Sequence, residues 1–229
     1  MPQAYTPFES GNRKWYKGEE NNMKVLLFNG STRTNGCTYL ALSEISKTLE
    51  QEGIDTEILQ LGAQPVWDCI GCNACQSTGR CVFDEDVVNG WLEKAAEADG
   101  YVFGSPVYFA HPSGHLLSVM DRMFMAGHGI FAHKPAAAVV TARRAGTTAS
   151  LDAIQKHFTD AEMPIVSSTY WNMVFGPAPE LVEQDREGLQ TMRNLGRNMA
   201  WMLRCIEAGK EKGVTPPAAE TQHWTNFNR

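Results

Sequence analysis

The chain has 229 residues, 43% hydrophobic and 20% charged, the balance of one ordinary globular domain rather than a disordered or fibrous protein. Twenty Lys and Arg stand against 26 Asp and Glu, a formal charge of −6, so no global positive field exists to hold a nucleic acid backbone. No apolar run approaches the roughly 18 residues needed to cross a bilayer, and residues 1–22 lack the apolar segment of a signal peptide. A cytoplasmic protein with no nucleic-acid or membrane partner is expected.

Residues 1–22 are polar, show no periodicity and read as an N-terminal extension. The run Lys24–Asn29 (KVLLFN), ended by Gly30, predicts a buried parallel strand. Helical spacing follows from about Gly36 to Glu52, with Leu42, Ile45 and Leu49 on one face and Gly53 closing it. Thr56–Leu61 predicts a second strand, and a cysteine-rich loop comes next. Asp84 or Asp86 then stands where it can cap a helix running to about Ala98. Tyr101–Gly104 predicts a third strand, which leads into a loop over Ser105–Pro112 and a helix over Leu116–Phe124. Ala136–Thr141 and Pro164–Ser168 predict the fourth and fifth strands, with a helix over Ser150–Thr159 between them. A long helix over about Glu183–Ala208 repeats Leu189, Met192, Leu195, Met199, Leu203 and Ile206 every three or four residues.

Residues 210–229 read as an extended C-terminal arm, leaving 23–209 as a single domain. The alternation predicts an α/β three-layer sandwich: a five-stranded parallel sheet of flavodoxin-like order 2-1-3-4-5 with helices on both faces. Ligands of such sheets bind beyond the C-terminal strand ends, so the loops after strands one, three and four matter most.

The first of these reads Gly30-Ser31-Thr32-Arg33-Thr34-Asn35-Gly36-Cys37-Thr38 and runs straight into a helix. Hydroxyls, glycines, an arginine and free N–H groups at a helix N-terminus make a phosphate nest. A P-loop would continue Gly36 with Lys and Ser or Thr; Cys37 and Thr38 stand there instead, and GxGxxG is absent. ATP chemistry and a resident nicotinamide site are therefore not expected. What remains is one phosphate of a nucleotide held by Ser31, Arg33 and Thr38, with Thr32, Asn35 and Gly36 in the same turn, or an ordinary capped turn. Cys37, in the first helical turn, reads either as a stabilised thiolate or as a small packed residue.

Four of the six cysteines fall within thirteen residues, as Cys69-x2-Cys72-x2-Cys75-x5-Cys81. In a cytoplasmic chain such spacing points to metal or redox chemistry. The x5 interval, with Gly79 permitting a tight reversal, lets the fourth thiolate return to the site of the first three. An iron–sulfur cluster, free or disulfide-linked thiols, and zinc are all open readings. Zinc sites of four cysteines more often come as two CxxC pairs with a longer spacer.

The segments FNGSTRTNGCT, CIGCNACQSTGRC and GSPVYFAHPSGHLLSVMDR, in this order, resemble the flavodoxin-like NAD(P)H-dependent FMN reductase family, and within it the iron–sulfur flavoprotein branch. The resemblance spans roughly Met23–Ala208. It implies an FMN-binding oxidoreductase with NAD(P)H as co-substrate, and a [4Fe–4S] cluster on Cys69, Cys72, Cys75 and Cys81. It sets Ser105, Pro106, Val107, Tyr108 and Phe109 along the isoalloxazine ring, with backbone amides near N5. Among Thr141, Arg143, Arg144 and Gly146 after strand four, the arginines read either as partners of the N1/O2 edge, where reduction brings negative charge, or as solvated surface residues. His111 and His115 read as proton donors to a reduced substrate or as residues that cap and pack the next helix, and His128 carries the same ambiguity. Asp121 and Arg122 read as a structural, intersubunit pair.

The principal functional expectation is hydride transfer from NAD(P)H to flavin N5 and onward to a quinone, nitroaromatic, flavin or protein acceptor. The alternative is an electron carrier between ferredoxin and FMN. Related reductases close the flavin pocket with a second subunit, and Trp15, Tyr16, Trp224 and Phe227 give the two arms aromatic anchors. A homodimer or homotetramer is expected.

Overall fold

A computed structural model of the protein describes residues 23–127 and 129–223. The anchors Trp15, Tyr16, Trp224 and Phe227, the extension 1–22 and His128 lie outside the described residues. In chain order the elements are β1 (Lys24–Asn29), α1 (Cys37–Gln51), β2 (Asp55–Gln60), α2 (Cys75–Thr78), α3 (Val87–Glu97), β3 (Gly100–Tyr108) and β4 (His111–Pro112). There follow α4 (Gly114–Ala126), β5 (Ala136–Ala142), α5 (Thr147–Asp160), β6 (Met173–Phe175), α6 (Pro179–Val182) and α7 (Arg186–Glu211).

Five strands are parallel in the order β2-β1-β3-β5-β6, the expected doubly wound arrangement, and β4 adds a short antiparallel sixth beside β3. Alternation along β1 divides the core between the two faces. Leu26 and Phe28 pack with Trp91 of α3, Met120 of α4 and Phe158 of α5. Val25 and Leu27 pack on the other side with Ile45 and Leu49 of α1 and Leu195 and Met199 of α7. Phe28 stacks on Phe103 with ring centroids 4.4 Å apart, which locks the two central strands together. On the opposite face, a Cβ on Gly196 would meet the Thr48 side chain at 2.9 Å, so α7 lies hard against α1.

Three expectations need correction. The third strand does not end at Gly104. It continues through Tyr108 and turns back into β4 through Phe109 and Ala110, whose φ angles are 50° and 60°. A two-residue hairpin with both central residues left-handed normally announces itself with Asn-Gly or Asp-Gly; here neither signal is present. Second, Pro164–Ser168 is not the edge strand. Ile165 alone bridges Ala136, residues 167–171 loop out, and the side-chain amide of Asn172 takes the Ala138 carbonyl at 3.0 Å. The edge position belongs to β6. Third, Lys210 still lies within α7, which starts at the Asp185 cap (2.9 Å to the Gly188 amide) rather than at Glu183. Residues 214–223 are exposed and carry neither helix nor strand.

Candidate functional site

The loop that leaves β1 is built from the main chain. The Gly30 amide donates to the Gly104 carbonyl at 2.8 Å, and a Cβ at Gly30 would lie 2.8 Å from Leu116 of α4. No larger residue fits there. The Ser31 amide donates to Asn29 Oδ1 (3.2 Å), and Gln60 Nε2 donates to the Ser31 carbonyl (2.6 Å), tying the root of the loop to β2. Ser31 is buried, and its hydroxyl accepts from the Arg33 amide at 3.1 Å. Thr32, Arg33, Thr34 and Asn35 are exposed.

Gly36 stands at the N-cap of α1 with no side-chain cap, and the first turn contains no acidic residue. The opening amides of α1 therefore lack intrahelical acceptors and face an exposed, cationic loop, which is the chemistry of an anion receptor. Two residues of this stretch point elsewhere. Thr38 is buried and its hydroxyl shares a 3.0 Å hydrogen bond with Thr141, joining α1 to β5. Burial pushes the Cys37 thiol up, and its Sγ donates to the Gly176 carbonyl at 3.6 Å. Desolvation thus outweighs the stabilisation expected at a helix N-terminus.

The loops after β3 and β5 meet this one. Ser105, fully buried, accepts from the Ser113 amide at 2.8 Å and donates to the Pro106 carbonyl. Pro106 and Val107 are half-buried, while Tyr108 and Phe109 present their rings to solvent. Gly146 has φ 90°, and a Cβ there would come within 2.3 Å of Ala110 Cα. Gly30–Gly104, Thr38–Thr141 and Gly146–Ala110 thus stitch three strand-end loops into one rim. Arg143 and Arg144 are exposed beside Gly146, His111 is exposed next to the hairpin turn, and His115 is half-buried on α4. Uncapped amides, apolar ring surface and two cations on one rim suit a ligand with a phosphate and a planar, electron-accepting ring.

The cysteine segment follows β2 at the same end of the sheet. Cys69 and Cys72 are exposed, Cys75 and Cys81 half-buried, and all four line one depression with free thiols. Gly71, Asn73 and Gly79 have φ angles of 63°, 59° and 66° and curl the chain around it. Burial first, and then neighbouring cysteines with Cys72 foremost, push the Cys75 thiol up. Among the described residues no three His, Cys, Asp or Glu converge on a single-ion position. Zinc requires its sulfurs about 2.3 Å from one point, whereas a polynuclear cluster carries each thiolate on a separate iron and spaces them more widely. Four thiols with no histidine or carboxylate among them are a soft donor set, which suits an iron–sulfur cluster or zinc.

Two side chains hold this segment: Asn89, which the sequence reading passed over, and Arg122, which it took as structural but gave another partner. Asn89, buried in α3, accepts from the Cys81 amide (2.8 Å) and donates to the Cys81 carbonyl (3.0 Å). Arg122, buried in α4, donates its Nε–H to Cys81 Sγ at 3.1 Å and forms an ion pair with Asp86, the N-cap of α3. Asp121 pairs with His157 at 2.8 Å. The expected Asp121–Arg122 intersubunit pair is thus replaced by two contacts within the chain. Both Asn89 and Arg122 sit among apolar residues at helical spacing, and a polar residue in such a stripe was the available signal. Helix α4 also links the two sites. Leu116 abuts Gly30, and Arg122 lies six residues on, about 9 Å along the axis.

The profile of the NADPH-dependent FMN reductase family matches residues 23–178. This chain belongs to that family. An iron-sulfur flavoprotein of Methanocaldococcus jannaschii is 35% identical over 193 residues, covering 81% of this chain and 100% of the relative. Another, from Clostridioides difficile, is 30% identical over 141 residues, 61% of this chain and 63% of that one. The chain thus falls in the iron–sulfur flavoprotein branch of a family of FMN-dependent oxidoreductases. Among solved structures, a flavone reductase superposes with a TM-score of 0.63 at 20% identity, over 81% of this chain and 64% of the other. An archaeal flavodoxin gives 0.55 at 16% identity, over 80% and 99%. Both share the fold. Among the described residues, no helix is long and apolar enough to cross a membrane.

Proposed function

We propose that this FMN-dependent oxidoreductase exchanges electrons singly with a ferredoxin-class protein at the cysteine segment and delivers them to a small acceptor at the flavin rim. FMN supplies both one-electron and hydride chemistry when bound, and a [4Fe–4S] cluster supplies one-electron transfer only. In this reading the uncapped amides of α1, with Arg33 and the loop Ser31–Gly36, bind the FMN phosphate. Ser105–Phe109 lie along the ring, and Arg143 or Arg144 offsets the negative charge of reduction. Cys69, Cys72, Cys75 and Cys81 provide the thiolates, held in place by Asn89 and Arg122. His111, exposed beside the hairpin, and His115 are the candidates to deliver a proton to the reduced acceptor.

The observation that carries the proposal is the gathering of all four cysteines around one depression that α4 connects to the phosphate nest. Anaerobically purified protein should contain FMN together with iron and acid-labile sulfide, and its flavin should be bleached rapidly by reduced ferredoxin. Protein with FMN but no iron would remove the cluster from the reading.

A second reading keeps NAD(P)H as the donor, passing hydride to flavin N5 with a quinone, nitroaromatic, free flavin or protein as acceptor. The family description and the solvent-facing hairpin Tyr108–Phe109, which leaves room for a nicotinamide, favour it. Bleaching by NADPH or NADH that outpaces ferredoxin would select it. Trp67, Ile70, Val82 and Met125 also expose apolar surface around the cysteines, which suits a homodimer or homotetramer covering this side. A monomer in light scattering would exclude that assembly. A reducing cytoplasm suits four free thiols.

A further inference from the structure

Arg122 occupies a position made for an apolar residue. It lies on α4 among the buried Val119, Met120 and Met123 and is itself 1% exposed. A guanidinium there is costly unless its donors are matched, and all three of its nitrogens are matched. Nε donates to Cys81 Sγ (3.1 Å), Nη1 to the Trp67 carbonyl (3.2 Å) and Asp86, and Nη2 to the Phe83 carbonyl (3.0 Å) and Asp86 (3.1 Å). Its carbon stands 5.4 Å from the Phe83 ring centre, and Phe83 stacks on Trp67. One side chain therefore grips the segment before the first cysteine and after the last. The fork is also oriented: a ligand sulfur on the Nε side, a carboxylate on the Nη side.

We propose, on the reading that an iron–sulfur cluster occupies Cys69–Cys81, that Arg122 is a positioning residue that raises the reduction potential of that cluster and that Asp86 holds the increase in check. The reason is electrostatic. Reduction adds one negative charge to the cluster, and a cationic donor on a ligating sulfur stabilises the reduced form more than the oxidised one. Asp86, on the far side of the same guanidinium, offsets part of that cation. Removing the arginine and neutralising the aspartate must then move the potential in opposite directions. A merely structural clamp would not do this.

The test is an anaerobic redox titration of the holoprotein, followed by visible and EPR spectra, for wild type, Arg122→Gln, Arg122→Lys and Asp86→Asn. In Arg122→Gln the reduced-to-oxidised ratio at a fixed ambient potential should fall about tenfold, equivalent to about 59 mV for a one-electron couple. Asp86→Asn, which keeps a good N-cap, should raise that ratio, and Arg122→Lys should fall between wild type and Gln. Unchanged potentials, or shifts of one sign in Gln and Asn, at wild-type iron content overturn the inference. If Arg122→Gln fails to fold or to take up iron, the Lys and Asn variants carry the same comparison. Wild-type protein free of iron after anaerobic preparation overturns the cluster reading, and this inference with it.

Discussion

The rim of strand-end loops and the cysteine segment sit at one end of one sheet and are built by opposite means. The rim is set by backbone: Gly30 against Leu116, Gly146 against Ala110, and the uncapped start of α1. Its exposed side chains are free to vary without moving it. The cysteine segment has no strand and only the four-residue α2. It keeps its shape because Asn89 and Arg122 reach out of two helices and hold it by side-chain hydrogen bonds. A glycine change should therefore damage the first region, and a buried polar change the second.

The largest effect is expected at the cysteines. Cys72→Ser or Cys75→Ser should eliminate iron and acid-labile sulfide yet leave FMN bound, as read by iron analysis beside the flavin spectrum. Loss of both cofactors would mean that the two regions are not separable. Next comes Gly146→Val. Its Cβ would fall 2.3 Å from Ala110 Cα at a φ of 90°, so unfolding in urea should report a loss of about 2–3 kcal/mol, with iron content unchanged. Arg33→Ala probes the rim without touching its frame. Titrating apoprotein with FMN should show affinity weakened by about 1.5–3 kcal/mol, the value of a charge-assisted hydrogen bond; equal affinity would take Arg33 out of the site.

Thr38→Val should cost about 1–3 kcal/mol by leaving the Thr141 hydroxyl buried without its partner. Adding Thr141→Val should restore much of it, a double-mutant cycle that measures the stitch itself. The smallest effect concerns pH. Hydrogen bonds from Lys24 and then Lys94 hold the Glu57 carboxyl, on β2, below its ordinary value of 4.5. Its contribution to stability is complete above that ordinary value and is lost as pH falls through the lowered one. Glu57→Gln should therefore lower stability slightly at neutrality, flatten the acid limb below about pH 4.5 and converge with wild type at the acid end.

Much of the rim was legible because strand ends, glycines and helix starts leave periodic traces: β1 and α1 fall within a residue or so of expectation. The hairpin left no trace, since Phe109 and Ala110 carry a turn normally written with glycine. The edge strand was misplaced because β6 has three residues and follows an aromatic, non-alternating stretch, whereas Pro164–Ser168 looked the part. At the cysteines the opposite holds. Spacing marked the four thiols without help from the structure. Of their supports, Arg122 was legible as structural but not its partners, and Asn89 stayed hidden because a polar residue in a helix is ordinarily taken for surface until its neighbours are counted around the helical wheel.

Helix α7 bears on how the protein is made. The family profile ends at residue 178, yet Met192, Leu195, Met199 and Leu203 cover the sheet face that carries Val25, Leu27 and Val102. On the ribosome the strands and α1 emerge first, and half of one core layer stays open until the last long helix clears the exit tunnel. The nascent chain therefore exposes a sticky apolar face for most of its synthesis, a natural substrate for a holding chaperone. A fragment stopped at residue 178 would keep Cys69, Cys72, Cys75 and Cys81 and the whole loop after β1, and would still be trapped in that state.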